Sequence, residues 1–447
     1  MSTAAGLDRA PLLAWYQRNR ARSRALFDLI ADDAYYAQPI ALRHPLIFYD
    51  GHLPGFSFNT LVKKALGRPS IDARLETLFA RGIDPHESGA AQPTAASVRA
   101  QWPSRAEVRA FADEADRQVL AALANDDVER PGHPLLDRAE AVFSILEHEA
   151  MHQETLLYMW HRLPFEQKRR PAGYAPRTQG RVPPRDWVAV PGGRATLGVA
   201  RDTIAFGWDN EFPAFSVEVA PFSMERHDVT NQDFLEFVDA GGYTQQEWWR
   251  PDDWAWVVAD RVGHPLFWER DSSGGWFWRG MFDRIALPMA WPVYVSQAEA
   301  SAYARWRGAR LPTEAEYQRA AFGSADGERQ HPWGSAAPTA EHGVFDMASW
   351  DPEPVGTHPR GVSAWGVDDL VGNGWEWTSS VFAPFPGFRA MASYPEYSAD
   401  FFDGDHFVMK GASPATAREL LRPTFRNWFR ARYPYVYATF RCVKNPA

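Results

Sequence analysis

Between Arg169 and Trp187 the sequence reads RRPAGYAPRTQGRVPPRDW, and no regular element can persist through it. Proline removes backbone donors, glycine removes restraint, and no apolar period repeats, so the segment reads as a linker. A chain of 447 residues also exceeds what one hydrophobic core usually serves. Two domains are therefore expected: residues 1–168, a linker over 169–186, and residues 187–447. Upstream, APLLAWYQRNRARSRALFDLI, PLIFYDGHLPGFSFNTLVKKAL, SRAEVRAFADEADRQVLAALA and LLDRAEAVFSILEHEAMHQETLLYMWHRL have helical apolar spacing, and Ser104 with Glu107 forms a capping box. Four long helices predict an all-α four-helix bundle. Downstream, the texture changes to short β-like runs, WVAVPGGRATLGV, FSVEVAPFSMERHDVT, LPMAWPVYVS, HFVMKGAS and YATFRCV. Two helical stretches interrupt them, TNQDFLEFVDAGG and SQAEASAYARWRGARLPTEAEYQRAAFG, which predicts a loop-rich α+β domain.

Within the last helix of the bundle, SILEHEAMHQETLLYMW holds two overlapping motifs. Read as His148-Glu149-Ala150-Met151-His152, it is the zinc-peptidase H-E-x-x-H, with the glutamate as general base. Read as His148, His152 and Glu154, it is H-x-x-x-H-x-E. On a helix the two histidines share a face and can hold one ion. The third ligand separates the readings. A zincin takes it from downstream, where His161 is followed at once by Leu-Pro and then the linker. Upstream, His44 and His52 lie in a second helical segment that an antiparallel bundle can bring opposite the pair. His52 is preferred, because His44 precedes Pro45 at a helix start. Three histidines leave about three open positions on an octahedral iron, enough for dioxygen and a substrate atom.

Composition narrows the chemistry further. The lone cysteine, Cys442, excludes a cysteine-rich metal site and any paired-thiol mechanism. A net charge of -9 leaves no basic footprint for nucleic acid or an anionic membrane. With no signal-peptide-like start and no run of about 18 apolar residues, a cytoplasmic location is expected.

Together LRHPLIFYDGH, ILEHEAMHQETLLYM, GNGWEWTSSVFAPFPGFR, YSADFFDGDH and RPTFRNWFR resemble the nonheme iron sulfoxide synthases of ergothioneine and ovothiol biosynthesis. The resemblance implies a DinB-like bundle followed by a formylglycine-generating-enzyme-like (C-type-lectin-like) domain that completes the active site. It implies Fe(II) on His52, His148 and His152, with Glu154 a signature position supporting the metal helix. RLPTEAEYQRAA and DDLVGNGWEWT match the scaffold signatures of the formylglycine-generating superfamily, so Asn373, Trp375, Glu376 and Trp377 read as structural. Formylglycine generation itself needs a pair of reactive cysteines, which one cysteine cannot supply.

By the same resemblance, FRNWFRARYPY is the substrate segment. In the mycobacterial type an Asn and a Trp there contact hercynine, while an Asp and an Arg four positions later hold γ-glutamylcysteine. Asn427 and Trp428 are kept, but Phe429 and Tyr433 stand at the charged positions, with Arg430 or Arg432 as alternative sources of charge. An aromatic pair suits a neutral sugar better than a charged dipeptide. The leading expectation is therefore a selenoneine synthase, joining a selenosugar to the imidazole C2 of hercynine with Fe(II) and O2. The alternative is a sulfoxide synthase forming a C–S bond from cysteine or γ-glutamylcysteine. Trp428 is the candidate aromatic face for the quaternary ammonium. Tyr394 and Tyr397 are candidate proton donors, Tyr394 preferred, and Met151 replaces a Gln that in relatives contacts the imidazole. Zinc peptidase and noncatalytic ligand-binding protein are the rival classes.

Overall fold

A computed structural model describes residues 7–80 and 95–446. The chain divides into two compact units, one running to Tyr174 and including Met391–Tyr394, the other comprising Ala175–Ala390 and the chain from Pro395 onward.

The first unit is helical. Its long helices are Arg9–Asp28, Leu46–Ser57, Arg105–Asn125 and Glu140–Arg162. Asp8 caps the first by accepting from Ala10 N. The third opens with the capping box expected of Ser104 and Glu107, each side chain taking the other's backbone N–H. Leu46–Ser57 is buried nearly all round and contains Pro54. It continues as a π-helix over Phe58–Ala65, an irregularity of the kind that follows a missing helical donor. Tyr16, Phe58, Leu61, Val119, Leu123, Val142, Ile145 and Leu146 meet in the core. Each large apolar side chain buried there contributes roughly 1.5–3 kcal/mol. No helix among the described residues is long and apolar enough to cross a membrane.

The second unit is α+β. Its main sheet centres on Gly374–Val381, antiparallel to His406–Ala412, which in turn is antiparallel to Asn427–Arg430; Ala438–Thr439 joins the other side in parallel. A second sheet sets Phe222–Glu225 between Trp187–Val190 and Val443–Lys444. Arg441 ties the last strands to the main sheet. Its fully buried guanidinium holds both Glu376 oxygens at 2.6 and 2.9 Å and Asp228 at 2.9 Å. Asn373, with φ +67°, exchanges two amide hydrogen bonds with the Glu353 backbone, and Trp377 donates to Val295 O. These residues hold the scaffold together.

Local differences from the sequence reading have physical causes. LPMAWPVYVS forms no strand, because Pro288 and Pro292 cannot donate; Trp291 N turns back to Pro288 O, while Val293 and Val295 donate to separate segments, Val229 O and Ala438 O. The second helical stretch is two helices, Gln297–Trp306 and Glu314–Phe322, parted at Gly308 (φ +64°) and Pro312. Gly374–Val381 is a strand although WEWTSS lacks a clean two-residue alternation, since both of its faces are buried over most of its length.

Candidate metal centre

His148 and His152 stand one turn apart on Glu140–Arg162, and His52 faces them from Leu46–Ser57. One ring nitrogen from each lies within 4.8 Å of the others, with ring centroids 4.4–5.1 Å apart. His52 Nδ1 is 2.7 Å from the Phe79 carbonyl, a contact that requires an N–H, so Nε2 carries the lone pair. That Nε2, both nitrogens of His148 and Nδ1 of His152 are buried without hydrogen-bond partners. Orphaned imidazole nitrogens converging on one point are costly unless an ion occupies it. Burial pushes the His52 imidazole down to about 4, and burial together with neighbouring histidines holds His148 and His152 well below the ordinary range. Neutral imidazoles are what a divalent metal needs, so the triad can hold one.

The surroundings fix these rings. Gly51 carries no side chain because a Cβ there would meet the Phe79 ring at 2.4–2.5 Å, so the glycine admits the residue whose carbonyl orients His52. Phe56 stacks on His148 at 3.6 Å, and Phe48 stacks on His52 at 4.8 Å. His44 is not part of the triad; its ring lies on Phe48 at 4.1 Å. Tyr394, carried into the first unit by Met391–Tyr394, places its ring 6.1 Å from His148 and 5.3 Å from Phe56. Met151 sits half-buried on the metal helix.

Glu149 points elsewhere. Its carboxylate accepts from Arg20 Nη1 and Ser23 Oγ, both at 2.7 Å, on the first helix. Arg20 also donates to Asp116 at 2.8 Å, and Gln153 donates to Ser23 Oγ at 3.0 Å. Burial pushes the Glu149 carboxyl up against the pull of Arg20. A carboxylate already engaged by Arg20 and Ser23 on the first helix is not placed as the general base of a zincin.

The other predicted residues gather in the second unit. Trp428 stacks on Phe382 at 4.1 Å and meets the edge of Tyr397 at 5.2 Å, while Tyr397 stacks on Trp208 at 3.9 Å. Tyr397 is thus part of an aromatic wall rather than grouped with Tyr394. Asn427 Oδ1 accepts from Trp428 N at 2.9 Å. Phe429 and Tyr433 stack with each other at 5.1 Å and 14°. Arg432 is held by Asp253 and Asp405 at 3.3 and 3.2 Å. The sequence reading missed Phe56, Phe79 and the Arg20–Glu149 pair. Phe56 was legible at one turn from His52; the others required the fold.

The two domains match known families in the same order. Residues 16–156 match the DinB superfamily and residues 174–446 the sulfatase-modifying factor enzyme 1-like domain. "Ergothioneine biosynthesis protein 1" of Schizosaccharomyces pombe is 28% identical over 456 residues, 93% of this chain and 54% of that protein. The chain belongs to the family of the sulfatase-modifying factor enzyme 1-like domain, here preceded by a DinB domain. "Hercynine oxygenase" of Mycolicibacterium smegmatis is 43% identical over 249 residues, 54% of this chain and 57% of that one. "Formylglycine-generating enzyme" of Mycobacterium tuberculosis is 31% identical over 321 residues, 58% of this chain and 97% of that one. The chain spans about half the length of the hercynine oxygenases it matches. The sequence holds one cysteine, Cys442, and it is buried.

Proposed function

We propose that the protein is an oxidative synthase that joins a chalcogen donor to the imidazole C2 of hercynine, using ferrous iron held by His52, His148 and His152. The observation that carries this reading is the set of orphaned, buried imidazole nitrogens within 4.8 Å of one another. Relatives named for hercynine oxygenation and ergothioneine biosynthesis favour a sulfur donor and an ergothioneine-type reaction. With a thiol, the balance is thiol plus imidazole C2–H plus O2 giving the sulfoxide and one water. A bound iron would supply dioxygen activation and hold the donor atom.

The chain's own residues do the rest. His52, oriented by the Phe79 carbonyl, keeps one tautomer, and Phe56 shields a face of His148 from water. Tyr394 is the nearer candidate to deliver or hold a proton, its ring 6.1 Å from His148. Trp428 offers an indole face to the quaternary ammonium and Asn427 an amide to the acceptor, while Met151 contributes an apolar contact in place of a donor.

A second reading, a selenosugar donor and a C–Se product, is supported by the stacked Phe429–Tyr433 pair and by Arg432 being engaged with two aspartates. Both readings meet in one experiment. Protein loaded with Fe(II) is given hercynine, O2 and one donor at a time: cysteine, γ-glutamylcysteine or a selenosugar. Mass spectrometry should find a C2-thiolated or selenated hercynine with at least one donor. Absence of product from all three, with iron bound, would overturn the proposal.

A further inference from the structure

Glu140, Ser144, His148 and His152 follow one another at four-residue intervals along one helix. Such a row forms a ridge along the helix surface, so the ligands share it with two polar residues one and two turns earlier. Those two residues are buried and bonded to Ser393. The Ser393 N–H donates to Glu140 Oε1 at 3.2 Å, and Ser393 Oγ and Ser144 Oγ are 3.0 Å apart. Ser144 is fully buried and Ser393 nearly so. Residue 394 follows directly, and its ring packs with Phe56 and His148.

We propose that Glu140 and Ser144 are positioning residues that seat Met391–Tyr394 on the metal helix, so that Tyr394 stands at a set distance from the metal-binding face of His148. The four residues come from a part of the chain about 250 residues from the positions they bind. Because the seat lies on the ridge that carries the ligands, any rotation of the helix moves ligands and tyrosine together. This proposal rests on the reading of the triad as a metal centre with Tyr394 beside it.

The test reads distance rather than turnover. Tyr394 is replaced by 3-fluorotyrosine in the full chain, which is loaded with Co(II) or, as a diamagnetic reference, Zn(II). The difference in 19F shift reports how close the ring stands to the ion. The Ser144→Ala/Ser393→Ala chain should lose at least half of that difference, and Glu140→Ala should lose a comparable part, while metal stoichiometry stays the same. Glu140→Gln, which keeps an acceptor for the Ser393 N–H, should retain most of it. An undiminished difference in both Ala chains would overturn the seat while leaving the metal reading intact. Failure of the unsubstituted labelled chain to show any Co(II)-dependent shift would remove the metal reading and the seat together. A chain too unstable to load is replaced by Ser144→Ala alone, which removes one hydroxyl and is judged by the same shift.

Discussion

Gly51 and His52 show how one small residue can govern a ligand. A Cβ at position 51 would overlap the Phe79 ring, and displacing that ring withdraws the carbonyl that fixes the His52 tautomer. Gly51→Ala should therefore destabilise the protein by about 1–3 kcal/mol. It should also weaken metal binding by roughly 10–100-fold, as loss of a ligand's hydrogen-bond partner does elsewhere. Denaturant melts and a metal titration measure the two effects separately. Replacing His52, His148 or His152 with Ala should abolish metal binding with the helical signal retained; full Fe(II) binding by the His52→Ala protein would remove His52 from the triad. The metal-free protein should also be acid-sensitive. Burial lowers His52 from its ordinary 6.5 to about 4, so the unfolded chain takes up the proton first as pH falls. Its contribution is present in full above pH 6.5 and is lost on the way down to about 4, on the order of 3 kcal/mol from this residue. Unfolding midpoints at a series of pH values give the slope, and a flat profile would contradict a buried neutral His52.

At the scale of the helix, the contest between the two motifs turns on direction. Positions 148 and 152 look toward His52, while 149 and 153 look toward the first helix and share Ser23. Glu149→Gln should keep most oxidative activity, since Gln can still accept from Arg20 and Ser23; a loss of several orders of magnitude with iron bound would restore the peptidase reading. Arg20→Met should instead cost about 3–5 kcal/mol in stability, because it strands Glu149 in the core without its cation. Much of this level was legible in advance. Apolar spacing predicted the long helices, and the i,i+4 pair with an upstream histidine predicted the three histidines that the fold brings together. What the sequence could not show was which residues answer across helices. Arg20 looks like one arginine among several in RNRARSR, and nothing local marks it as the partner of a glutamate 129 residues away. Nor does any periodicity announce that 391–394 belongs with the bundle, because a four-residue excursion leaves no pattern of its own.

Across the whole chain, the candidate residues are divided between units that each have their own packing. The histidines, Phe56 and Tyr394 belong to the first, while Asn427, Trp428, Phe429 and Tyr433 belong to the second. If one reaction draws on both, substitutions in the two sets should separate metal binding from donor choice. On the sugar-donor reading the donor meets the Phe429–Tyr433 stack, which would present rings where a charged dipeptide needs a cation and an anion, and Arg432 is already engaged by Asp253 and Asp405. Burying an ammonium and a carboxylate against rings leaves each without a partner, at several kcal/mol each. A neutral selenosugar or thiosugar avoids that cost. On the sugar-donor reading, the unsubstituted protein should accordingly prefer a sugar over γ-glutamylcysteine by about tenfold for each lost charged contact, at roughly 1.4 kcal/mol apiece. Phe429→Asp with Tyr433→Arg should narrow the preference by restoring opposite charges, with Fe(II) affinity unchanged. Steady-state kinetics with each donor at fixed hercynine decide it. Equal use of γ-glutamylcysteine and the sugar by the unsubstituted protein would show that the rings do not select the donor, and would leave the ergothioneine-type reaction as the better description of the molecule.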